Sequence, residues 1–100
     1  MEPLDIVFLL NNNLIGFTQS ARRHRVGRER VRHVLRHVAA LTVDEGPPLR
    51  LLLVGEDHTG RRLEVVAVWE FPRLIVIHAM DARQAIIRRY EEGMRVDQES

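Results

Sequence analysis

Two apolar, β-branched runs lie close together in this chain and constrain its fold more than any other feature. Residues 63–69 read Leu-Glu-Val-Val-Ala-Val-Trp and residues 74–79 read Leu-Ile-Val-Ile-His-Ala. Each has the length of a strand, each is rich in side chains that favour pleated backbone, and each is bounded by charge or turn residues. The break between them, Glu70-Phe71-Pro72-Arg73, leaves room only for a tight connection. The pair is therefore expected to form the central hairpin of an antiparallel sheet. Neither run alternates cleanly between apolar and polar, so both faces of the sheet are expected to be covered near its centre. The second run carries His78 close to its end, a titratable group where a central strand stops.

The remainder of the chain supplies what could surround that histidine. One hundred residues make one domain with a single small core. Residues 6–10, Ile-Val-Phe-Leu-Leu, read either as an edge strand or as a first helical turn, and Asn11-Asn12-Asn13 break the run. Residues 14–17 are expected to be a short extended piece. Thr18 is placed to cap a short helix over 19–25, and Gly27 stands where a helix-ending glycine allows positive φ. A second helix is expected over 28–40, because Val31, Val34, Leu35 and Val38 recur with helical spacing. Residues 44–48 read as a loop, 49–54 as a strand, and 56–60 as a hairpin turn with Gly60 at a positive φ. Asp81 and Gln84 have the spacing of a capping box at the start of a last helix, with Ala82, Ala85, Ile86 and Tyr90 as its buried stripe. The expected fold is thus α+β: a small antiparallel sheet of three to four strands, two N-terminal helices and one C-terminal helix. Residues 1–13 are an N-terminal extension, 14–93 the domain, and 94–100 a flexible acidic tail.

Charge narrows the function. The net charge is only +1, but all fifteen basic residues are arginine. Seven of them (Arg22, Arg23, Arg25, Arg28, Arg30, Arg32 and Arg36) fall within fifteen positions, against the single acid Glu29. A local basic patch on a near-neutral chain fits phosphate contact better than bulk attraction to a polyanion. The absence of cysteine excludes disulfides and thiolate chemistry. The run at 6–10 is too short to span a membrane and has acids, not bases, before it. A cytoplasmic location is expected.

The chain also resembles a known family. Phe17-Thr18 with Ser20-Ala21-Arg22-Arg23-His24-Arg25-Val26-Gly27, then Leu53-Val54-Gly55 with Thr59-Gly60-Arg61-Arg62-Leu63-Glu64-Val65-Val66, then Val76-Ile77-His78-Ala79-Met80 closing in Arg89-Tyr90-Glu91-Glu92, are similar in order and kind to the BrnT-like toxins of the RelE superfamily. The resemblance covers roughly residues 14 to 93. It implies a RelE-like fold and the toxin of a bacterial type II toxin–antitoxin pair, an mRNA-cleaving endoribonuclease working with or without the ribosome. Its partners would be RNA and a cognate antitoxin, bound in a heterotetramer or larger assembly. The family pattern has Ser-Ala-Arg where this chain has His78-Ala79-Met80, and Arg83 is the nearest basic group beyond. The alternative is a non-catalytic RelE-like protein that binds a partner or nucleic acid.

Residue chemistry gives candidate roles. Cleaving RNA without a metal or cofactor needs a base for the ribose 2′-hydroxyl, cations for the phosphorane and an acid for the leaving oxygen. His78, His24 and Tyr90 are the proton-transfer candidates. The alternatives are a half-buried His78 bonded to a carbonyl, a surface His24 and a core Tyr90. Arg61, Arg62, Arg83, Arg28 and Arg89 are the candidates for contacting RNA. The Arg28/Arg32/Arg36 stripe fits either RNA or an acidic segment of the antitoxin. His33 and His37, at i and i+4, read as a solvated basic face and not as metal ligands. Trp69 reads as core.

Overall fold

The computed structural model describes residues 5–38, 40–86 and 88. Its centre is the predicted hairpin: β4 (Arg62–Glu70) and β5 (Arg73–Asp81) pair antiparallel. β3 (Arg50–Glu56) pairs antiparallel with β4, and β2 (Ala40–Asp44) with β3. β1 (Ile15–Phe17) joins the other side of β5 in parallel, giving the order β1-β5-β4-β3-β2. The α+β class is as expected, but the sheet has five strands, not three or four, and it is mixed, not antiparallel throughout. β2 is the strand the sequence concealed. Leu41-Thr42-Val43 continues the apolar spacing of the preceding helix, so helical periodicity runs on past the point where backbone pairing takes over.

The helical segments differ from expectation in length. Residues 6–10, left open between strand and helix, lie in helix α1 (Ile6–Asn11), which takes in Asn11 of the expected break and has the Asp5 carboxylate accepting from the Phe8 N–H. The segment 19–25 is not a helix but a single 3-10 turn, Ser20–Arg22. Arg25 then takes a positive φ of 57°, and Gly27, at φ −70°, is the N-cap of the next helix instead of the end of the last. Helix α2 spans Arg28–Arg36, ending four residues early. Residues 84–86 and 88 are helical, but Asp81 belongs to β5 and does not cap them. Ile86 is buried in this stretch while Ala85 is exposed. Gly60 has the positive φ, +87°, that its turn requires.

The core lies between α2 and the sheet. Val31, Val34 and Leu35 of α2 pack with Leu51, Leu53, Leu63, Val65 and Ala67, and Leu9 of α1 closes one end. Val38 and Trp69 pack partly buried against this cluster. Gly55 permits the close approach of α2 to β3, since a Cβ there would lie 3.0 Å from the His37 carbonyl oxygen and 3.2 Å from Val34 Cγ1. One irregularity then determines what faces the candidate site. Along β5, Leu74 and Val76 are fully buried on the core face, and strict alternation would put His78 there too. A bulge intervenes, because Val66 pairs with His78 while Ala67 pairs with Val76. Ile77 is the extra residue. The phase flips, fully buried Ala79 takes the core face, and His78 turns to the side of Glu64.

Candidate functional site

The site is built around a carboxylate that is fully buried, Glu64. It lies on β4 between Leu63 and Val65, and alternation turns it away from their core. Such a group persists only if its acceptors are filled. They are: Oε1 accepts from the Arg83 backbone N–H at 2.9 Å and from Arg83 Nε at 3.0 Å, and Oε2 from Arg83 Nη2 at 3.0 Å and His78 Nε2 at 3.1 Å. Burial alone would raise its pKa, but the Arg83 bonds and then His78 outweigh that and hold it below the usual carboxylate range. Glu64 is therefore an acceptor only. His78 must donate from Nε2, which leaves Nδ1 carrying the lone pair of the neutral ring.

A second imidazole stands beside it. The 3-10 turn Ser20–Arg22 is tied to β5 where its pairing with β1 ends: the Ser20 hydroxyl donates to the Ile77 carbonyl at 3.0 Å and the Thr18 N–H to the Val76 carbonyl at 3.0 Å. The residues that follow carry His24 to His78, edge to face, with ring centroids 5.7 Å apart. A cleft of about 370 Å³ opens beside His24, lined by His24, Arg25, Val26, Arg30, Arg61, Met80 and Asp81.

A second buried carboxylate holds two residues of the cleft, Arg30 and Arg61. Asp57 Oδ1 accepts from the Thr59 hydroxyl (2.6 Å), the Thr59 N–H (2.8 Å) and the Arg61 N–H (3.0 Å), and Oδ2 from Arg30 Nε at 2.6 Å. Burial works against ionisation, yet these bonds prevail and hold Asp57 far below the ordinary range. One residue thus fixes the β3–β4 turn and anchors Arg30 of α2.

The structure divides the candidates named above. His24 and His78 come together, and Arg61 shares the cleft that His24 lines. Arg62 lies in an adjoining shallow cleft with Glu56, Gly60, Arg61 and Asp81. Arg83 does not present a free guanidinium, because Glu64 holds it through two side-chain bonds and raises its pKa. Arg28 and Arg32 cover the Phe17 ring, at 5.5 and 5.7 Å from its centroid, and do not line the cleft. Arg36 is exposed at the end of α2. Tyr90 and Arg89 lie outside the described residues. His33 contacts His37 and, unexpectedly, His58 of the turn. No group of three or more His, Cys, Asp or Glu among the described residues is arranged to hold a metal ion. Sequence reasoning gave no individual site role to Glu64, Asp57, Asp81 or Arg30. Glu64 did leave a signal, the one charged residue in the otherwise apolar run 63–69, which needs a partner if buried.

No described helix is long and apolar enough to cross a membrane. Compared with models of protein families, with curated proteins and with solved structures, the chain matches none.

Proposed function

We propose that the chain is an endoribonuclease that cleaves single-stranded RNA by proton transfer between two histidines. The observation that carries this reading is the His24–His78 pair, with ring centroids 5.7 Å apart, in which His24 lines an arginine-bearing cleft and Glu64 fixes the tautomer of His78. His78 Nδ1 takes the proton of a ribose 2′-hydroxyl, whose oxygen attacks the adjacent phosphorus. His24 gives a proton to the 5′-oxygen as it leaves. The products are a 2′,3′-cyclic phosphate and a 5′-hydroxyl, and arginines at the cleft stabilise the charge that builds on the phosphorane. Glu64, Asp57 and the bulge at Ile77 are the support that fixes these groups.

The same reading extends to a biological role: a RelE-like fold of the BrnT-like kind, acting in the cytoplasm as the toxin of a type II pair and held inactive by an antitoxin. It is supported by the order of the short strand, the His24 turn, the glycine hairpin and the strand ending in His78. Expressing the chain alone tests it. Growth arrest with loss of mRNA, relieved by His78→Ala, is the expected result, and unimpaired growth with intact RNA refutes it.

One observation favours a non-catalytic, binding role instead. The carboxylate of Asp81 lies within the cleft, 3.7 Å from both Arg30 and Arg61, and reduces its positive charge. On that reading Met80→Arg, which restores a cation to the strand end, creates a toxicity the native chain lacks.

A further inference from the structure

Arg30 is held in an unusual way for a helix-surface arginine. Its Nε donates to buried Asp57 at 2.6 Å, which fixes the plane of the guanidinium. Its Nη2 is buried and finds no hydrogen-bond acceptor among the described residues. The nearest anion is Asp81, whose Oδ1 lies 3.7 Å away, while Asp81 Oδ2 lies 3.7 Å from Arg61 Nη2. Both gaps exceed a hydrogen bond, so the carboxylate sits between two guanidiniums and satisfies neither. A buried donor without an acceptor is costly, and two guanidiniums converging on one point suit a tetrahedral anion with several oxygens better than a single carboxylate.

We propose that Arg30 and Arg61 form a subsite for one phosphate group, preset by Asp57 and masked by Asp81, which swings aside when the phosphate enters. This rests on the RNA reading above for the source of the phosphate. Arg30 is the specific ligand, because its orientation is fixed before binding. Asp81 is the mobile one, since its side chain is 59 % exposed and hangs from the last residue of β5. The mask keeps two arginines from attracting every passing polyanion, and only a ligand offering a better set of acceptors displaces it.

The test follows the Nε–Hε signals of the arginines by NMR while inorganic phosphate is added at low salt, with a short single-stranded RNA in a parallel titration. Phosphate is expected to move Arg30 and Arg61 ahead of the other arginines. Asp81→Asn, at an exposed position, is expected to tighten phosphate binding roughly 1.5- to fivefold, the range of an exposed ion pair. Arg30→Lys, which keeps the charge but loses the planar fork, is expected to weaken it. Equal movement of all arginines, or an Asp81→Asn protein that binds phosphate no better, overturns the proposal. If phosphate behaves as expected while RNA is neither bound nor cleaved, the subsite stands and the nuclease reading falls.

Discussion

Replacing Asp57 by asparagine tests how much of this fold rests on one turn. Asn keeps the size of the side chain, and its oxygen can still accept from Thr59 and from the Arg61 N–H. Its amide nitrogen, however, takes the place of Oδ2 and points a donor at Arg30 Nε, which now donates to a carboxylate at 2.6 Å. Removing one partner of a buried ion pair costs about 3–5 kcal/mol. The Arg30 side chain is 24 % exposed, so part of its charge is recovered by water, and about 3 kcal/mol is the appropriate figure. At about 4–8 °C per kcal/mol for a domain of this size, the midpoint of thermal unfolding falls by roughly 12–24 °C. The pH dependence carries the sign. Because the folded pKa of Asp57 lies below its unfolded value, its contribution is complete above about pH 5 and is lost progressively as the pH falls. The gap between wild type and Asp57→Asn therefore closes in acid. Urea unfolding of both proteins at neutral pH and at pH 3 measures this. A loss below 1 kcal/mol at neutral pH, or a gap that does not shrink in acid, refutes the reasoning.

Two further perturbations address the site and the scaffold. Glu64→Gln leaves His78 without its fixed acceptor, so RNA cleavage is expected to fall by about ten- to a hundredfold, with a changed pH profile and unchanged RNA affinity, measured by steady-state cleavage and by titration. Gly55→Ala drives a methyl against the His37 carbonyl and Val34, so it is expected to destabilise the fold by about 1–3 kcal/mol in denaturant unfolding.

The central hairpin was legible in the sequence because residues 63–69 and 74–79 are β-branched, strand-length and closely spaced. The α2 stripe was legible for the same kind of reason, since Val31, Val34 and Leu35 are all buried. What escaped depends on contacts distant in the chain. Leu41-Thr42-Val43 is too short to announce a strand and is stabilised as one by pairing with β3. Ile6-Val7-Phe8-Leu9-Leu10 has strand-like composition, but the Asp5 cap and the packing of Leu9 make it a helix. The flip of His78 depends on a bulge whose position no periodicity reveals. His24 and His78 were each visible as histidines, but fifty-four residues separate them, and only the docking of the 3-10 turn on β5 brings them together. Asp57 resembled any turn aspartate until Arg30 was seen to reach it.

In the proposed reaction His24 and His78 act as a pair on RNA. The most direct measurement incubates the purified chain with an end-labelled single-stranded RNA in chelator and identifies the new termini. Cleavage is expected to leave 2′,3′-cyclic phosphate and 5′-hydroxyl ends, with either His24→Ala or His78→Ala reducing the rate by about a hundredfold or more. Cleavage that leaves 3′-hydroxyl ends, or cleavage that survives the loss of both histidines, contradicts it.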